Sequence, residues 1–150
     1  MATTRHFPTL ISADSHAYEP SDLWWKALGP KFGDRTPRIM EEYQGEERRF
    51  VYTGYQDRPV SRVREQLSRD TEGAAMEASE KGFEACARDP AVRVRFRQEA
   101  SLDAEAMNPT NMLAIFRNPD VEVLQGCSQV FNDWMSEFIS QDTKRLIGVT

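Results

Sequence analysis

Leu10-Ile11-Ser12-Ala13-Asp14-Ser15-His16-Ala17-Tyr18-Glu19-Pro20-Ser21-Asp22-Leu23-Trp24 joins a short apolar run to an acid and a histidine two residues apart. A Glu-Pro-Ser-Asp helix start follows at once. Residues 9–14 are expected to form a strand, and residues i and i+2 of a strand share a face. Asp14 and His16 then project side by side from the strand's C-terminal end. A carboxylate oxygen and an imidazole nitrogen presented together are able to hold a divalent metal. The alternative at this spacing is an Asp14 that caps a turn and a His16 at a loop surface. Ser15, lying between them, faces the other way and packs behind the strand, which argues against a nucleophilic role.

Outward from this stretch, Pro20-Ser21-Asp22 opens a helix over residues 23–28, stopped by Gly29-Pro30. Residues 38–43 and 48–53 flank Gln44-Gly45-Glu46-Glu47 and predict a hairpin. Residues 54–70, with Gly54, Pro59 and scattered charges, are expected to be loop. Residues 71–88 are rich in Ala and Glu and predict a helix despite Gly73 and Gly82. Asp89-Pro90 is a helix start, an N-cap followed by proline at the first position. That helix runs to about residue 100 with Val92, Val94 and Phe96 inward, and Arg93, Arg95 and Arg97 on a solvated face. Residues 102–108 predict a second strand, closed by Asn108-Pro109-Thr110-Asn111. Asn118-Pro119 precedes the clearest helix, residues 120–141, whose Leu124, Cys127, Phe131, Trp134 and Phe138 step by three and four. Trp134 is assigned to the core. Arg145-Leu146-Ile147-Gly148-Val149-Thr150 reads as a third strand. Strand and helix alternating with short turns predicts βαβ units on a parallel sheet.

With 150 residues, the chain suits one domain (1–150) with its own core. A net charge of −5 argues against nucleic acid or an anionic membrane as partner. The longest unbroken apolar run, Met112-Leu113-Ala114-Ile115-Phe116, is far short of a membrane span. Residues 1–8 carry no apolar segment of a secretory leader. Cys86 and Cys127 are two widely spaced cysteines, expected to be buried free thiols in a reducing compartment, which places the chain in the cytoplasm.

Three groups of residues carry a family resemblance. The first is Ile11-Ser12-Ala13-Asp14-Ser15-His16 with Glu19-Pro20, Asp22-Leu23-Trp24 and Arg35-Thr36-Pro37-Arg38. The second is Ala104-Glu105-Ala106-Met107-Asn108-Pro109-Thr110, and the third runs from Phe131-Asn132-Asp133-Trp134 through Arg145-Leu146-Ile147-Gly148-Val149. In this order the chain resembles the amidohydrolase-related family, the metal-dependent hydrolases and decarboxylases of the aminocarboxymuconate-semialdehyde decarboxylase type. The likeness covers most of the chain, with about residues 55–95 matching loosely. It implies an α/β fold of the (β/α)₈ TIM-barrel kind. Such a barrel needs about 250 residues, so these residues correspond to an incomplete barrel: its first two to three βα units plus a hairpin insertion.

The resemblance also implies a divalent metal ion, Zn²⁺ or Mn²⁺, with Asp14 and His16 at the first two ligand positions. Many relatives have His where this chain has Asp14, and a carboxylate there tilts the site toward harder metals such as Mn²⁺. Glu19 and Asn108, near the strand ends where barrel enzymes keep their active residues, are the candidate substrate contacts; Glu19 has the alternative of supporting helix charge. Arg35, Arg38 and Asn111 are further candidates for an anionic substrate, each with an ordinary structural explanation. His6, before the first strand, is expected to be a surface residue or a plug at the bottom of the barrel. The remaining ligands and the catalytic acid or base are expected downstream of Thr150.

The function implied is the N-terminal portion of a metal-dependent hydrolase or decarboxylase acting on a small carboxylate- or carbonyl-containing molecule, inactive as an isolated chain. The alternative is a non-catalytic truncated half-barrel, an interaction module forming a homodimer through the edge strand Arg145-Leu146-Ile147-Gly148-Val149-Thr150. A third possibility is a small metal-independent α/β binding domain in which Asp14 and His16 merely hydrogen-bond each other.

Overall fold

The computed structural model describes residues 10–55, 60–61, 82 and 85–150. In chain order the elements are β1 (Ile11–His16), α1 (Leu23–Phe32), a 3-10 turn (Gly33–Arg35), β2 (Arg38–Tyr43), β3 (Glu46–Tyr52) and β4 (Val60–Ser61). They continue with α2 (Pro90–Glu99), β5 (Ala104–Asn108), α3 (Met112–Ile115), α4 (Val121–Ile139), a second 3-10 turn (Ser140–Asp142) and β6 (Leu146–Gly148). Strands β1, β5 and β6 form a parallel sheet in that order, while β2, β3 and β4 form a separate antiparallel one. The α/β architecture with a parallel sheet matches the alternation read from the sequence.

Helix α4 lays Val123, Cys127, Phe131, Met135 and Phe138 into the core. The expected stripe is there but turned slightly, so that Leu124 and Trp134 sit at its flank, half-buried against the core. Trp134 lies between Phe131 and Phe138, with ring centroids 5.9 and 5.5 Å away. Steps of four from Val123 to Met135 follow one continuous face. The fit against β6 is close: a Cβ on Gly148 would lie 2.7 Å from Met135 Cγ. Burial pushes the Cys127 thiol up to about 12 and raises Cys86 as well, and both cysteines are free, as expected.

Helix α1 runs past Gly29-Pro30 to Phe32, correcting the expected stop at residue 28. Pro30 lacks only its own N–H, which would have bonded the Lys26 carbonyl. The extra turn places Phe32 in the core beside Gly126 of α4, where a Cβ would come within 3.2 Å of Leu28 and 3.4 Å of Phe32. The stop falls at Gly33, with φ +54°, whose amide bonds the Gly29 carbonyl. The hairpin is also tighter than expected. Gln44 and Gly45 both take positive φ (53° and 82°), a two-residue turn, so β3 starts at Glu46. A short strand at Val60–Ser61 pairs with β3 inside the expected loop. The expected helix over 71–88 lies mostly outside the described residues; residues 82 and 85–88 are helical.

The expectation that fails most instructively concerns α2. Its N-terminus is as predicted, with Asp89 accepting from the amides of Ala91 and Val92. Its inward face is not: Arg93 and Arg97 are buried, and Phe96 is 45% exposed. Residues four apart share one side of a helix, and here that side meets carboxylates. Arg93 forks onto Glu105 of β5 (Nε to Oε2 3.0 Å, an Nη to Oε1 2.7 Å). Arg97 donates to Asp142 and to the Leu102 carbonyl, each at 2.8 Å. A buried acid, Glu105, and a partly buried one, Asp142, therefore decide which face turns in. Among the described residues no helix is long and apolar enough to cross a membrane.

Candidate functional site

A bulge in β1 sets the site. Ser12 pairs with Glu105 and Ser15 with Met107, leaving Ala13 and Asp14 together opposite Ala106. One extra residue in a strand bends it and re-aims the side chains that follow. Ser15 is buried behind the strand, where Oγ donates to Glu105 Oε1 (3.0 Å) and shares a hydrogen bond with Ser12 Oγ (2.8 Å). The Glu105 carboxylate thus ties both serines to the buried Arg93.

On the open side of the sheet, His16 Nε2 lies 3.5 Å from Asp14 Oδ1. The Asp14 side chain is 89% exposed and that of His16 33%. Asn108, at the end of β5, donates long hydrogen bonds from Nδ2 to Asp14 Oδ1 (3.4 Å) and to the Ser15 carbonyl (3.3 Å). The sequence-predicted trio Asp14, His16 and Asn108 is therefore brought together at the C-terminal ends of β1 and β5.

The other imidazole nitrogen is held from behind. His16 Nδ1 lies 3.1 Å from the Pro109 carbonyl and 3.2 Å from Thr110 Oγ1. A carbonyl only accepts, and the Thr110 hydroxyl donates its hydrogen to the Ala17 carbonyl at 2.7 Å. Both neighbours are acceptors, so Nδ1 carries the hydrogen. In the neutral ring this leaves the Nε2 lone pair facing Asp14, the arrangement of a metal-binding histidine steadied by a backbone carbonyl.

Glu19 is fully buried, and its carboxylate faces the chain after β5. Oε1 accepts from the amides of Thr110, Asn111 and Met112 at 3.1, 3.1 and 3.0 Å, and Oε2 from Asn111 at 2.8 Å. Arg35 pairs with Asp120 at 2.5 Å. The Val123 amide, followed by Arg35, holds the Asp120 carboxyl below its usual range. Arg38 stacks over the rings of Trp25 and Tyr52 at 4.9 and 4.8 Å. Asn111 is buried, and neither atom of its side-chain amide has a hydrogen-bond partner among the described residues. His6 lies outside the described residues. Among those described, no group of three or more His, Cys, Asp or Glu side chains converges as a metal cage.

No protein-family model matches the chain, and no curated protein matches it. Solved structures do. A crystal structure of an amidohydrolase from Mycobacterium avium subsp. paratuberculosis K-10 superposes with a TM-score of 0.63 at 18% identity, over 94% of this chain. Over these residues the two chains share a fold. The chain spans 42% of the length of that amidohydrolase structure.

Within this fold, sequence reasoning missed the residues that hold the site rather than those that line it. From the sequence, Pro109 and Thr110 read only as part of a closing turn. Glu105 carried a usable signal: an acid between Ala104 and Ala106 in a strand needs a cation, and Arg93 and Arg97 were four apart on the preceding helix. The bulge had no signal beyond two serines three apart.

Proposed function

We propose that this chain supplies the N-terminal, metal-gripping part of a metal-dependent hydrolase or decarboxylase of the amidohydrolase-related type, within a (β/α)₈ barrel. Its substrate in this reading is a small molecule bearing a carboxylate or carbonyl. The observation that carries the proposal is the Asp14–His16 pair with its protonated Nδ1. Two ligands on a tetrahedral ion, each about 2.1 Å from it, stand about 3.4 Å apart, and the pair stands 3.5 Å apart. Asp14 and His16 would hold the ion, Zn²⁺ or, given the carboxylate, Mn²⁺. The ion's chemistry, when bound, is to acidify water or to polarise a substrate oxygen.

The chain's own residues have simpler tasks. His16 offers Nε2 while Pro109 and Thr110 fix its ring. Asn108 orients Asp14 and offers a donor to substrate at the strand ends. Glu19 holds the chain beyond β5 in place, so any contact with substrate goes through that segment. Further ligands and the acid or base are assigned to strands beyond these residues.

Metal content after incubation with Zn²⁺ and Mn²⁺ tests the reading, beside Asp14→Ala and His16→Ala. Weak retention of about one ion per chain, lost in both variants, is expected for two ligands. Retention indifferent to both substitutions would overturn it. A second reading, a non-catalytic module that self-associates, is favoured by one observation. Strand β6 pairs only with β5 among the described residues, and Ile147 and Val149 stay 52% and 41% exposed. A homodimer through residues 145–150 would bury them, and sedimentation of the metal-free chain reads this directly.

A further inference from the structure

We propose that Glu19 is a positioning residue for His16: by gripping the amides of residues 110–112 it fixes the segment that keeps the hydrogen on Nδ1. Among the described residues, all the hydrogen bonds to this buried carboxylate come from backbone amides of that segment. A buried charge is costly unless it is satisfied, and bonds from amides to a carboxylate are the strong kind. Four such contacts on three consecutive amides leave the segment little freedom.

Thr110 is the relay. Its N–H goes to Glu19 (3.1 Å), its hydroxyl hydrogen to the Ala17 carbonyl (2.7 Å), and its oxygen receives His16 Nδ1 (3.2 Å). The Pro109 carbonyl, the second acceptor for Nδ1, lies one residue before the first gripped amide. The His16 side of the relay is pinned too. The Ala17 amide bonds the Asn108 carbonyl at 3.1 Å, and the Tyr18 amide bonds the Ala87 carbonyl at 2.8 Å. Glu19 thereby acts at the far nitrogen of His16 without touching it. A mere brace for the fold would leave the choice between the two nitrogens unaffected.

The functional meaning rests on His16 being a metal ligand, but the test needs no metal. Long-range ¹H–¹⁵N correlation of the imidazole in the metal-free chain, at mildly alkaline pH, separates a hydrogen-bearing nitrogen from a bare one. The signal lost in His16→Gln identifies the ring against His6. In the wild type Nδ1 should be the hydrogen-bearing nitrogen. Glu19→Gln, which replaces one acceptor oxygen with a donor, should shift Nδ1 toward the bare-nitrogen position. The Trp24 indole N–H, bonded in the core to the Cys127 carbonyl at 3.1 Å, should stay put as the report of intact folding. A bare Nδ1 in the wild type, or an unmoved Nδ1 in Glu19→Gln with the indole intact, overturns the proposal. If Glu19→Gln loses the indole signal, Thr110→Val decides: a shifted Nδ1 supports the relay and an unmoved one overturns it. Loss of metal retention with the tautomer intact would instead count only against the metal reading.

Discussion

Helices α2 and α4 each bury one face, yet they do so by opposite means. Helix α4 turns in Val123, Cys127, Phe131, Met135 and Phe138; helix α2 turns in Arg93 and Arg97 and leaves Phe96 outside. Both obey the helical repeat, since Arg93 and Arg97 are as much a stripe as Cys127 and Phe131. The difference lies in what the stripe meets. Apolar side chains need only a dry surface, so α4 could be oriented from its own residues. The orientation of α2 depends on Glu105 and Asp142, which lie in other elements.

The sharpest way to break this contrast is Arg93→Met. Glu105, 1% exposed, would be left without its cation, and breaking such a pair from one side costs about 4 kcal/mol. Urea unfolding should record that loss. Adding Glu105→Leu should recover most of it, since a well-packed apolar replacement of both partners is often neutral. Failure of the double variant to recover would mean that the acid serves chiefly Ser15.

A smaller effect belongs to α4. The Cys127 thiol keeps its hydrogen up to about 12, whereas the unfolded thiol ionises near 9.0. Between these values the folded state binds more protons, so stability falls as pH rises. The slope reaches at most about 1.4 kcal/mol per pH unit. Cys127→Ala should flatten the alkaline limb of the stability curve relative to wild type, and matching limbs would contradict the burial. The smallest effect is expected at Phe96. Phe96→Ser on an exposed helix face should change stability by no more than about 0.5 kcal/mol, whereas a loss of core size would return Phe96 to the interior.

The same contrast marks what was legible in the sequence. Strands β1, β5 and β6 were visible as short runs with turn residues at their ends, and Asp89 and Asp120 marked two helix starts because capping is local chemistry. Asp14, His16 and Asn108 could be placed together because strand parity and strand ends are local as well. What escaped depends on partners far along the chain. Glu19 meets amides more than ninety residues away, and Pro30 is tolerated because Phe32 finds room beside Gly126. The tautomer of His16 is set by two acceptors in a different turn, and no spacing within its own segment encodes that.

The bulge in β1 has a bearing on how this site could be transplanted. It reverses the parity of the strand between Ser12 and Ser15, so a fragment beginning at Asp14 carries no record of the phase it needs. Spliced after a regular strand, it would arrive half a pleat out of step, with the serine at the rim and the histidine driven into the helical layer. The portable unit is therefore longer and discontinuous: Ser12 through Glu19, the acid across the ladder at Glu105, and the turn from Pro109 to Met112. A site built this way moves between scaffolds only as a package.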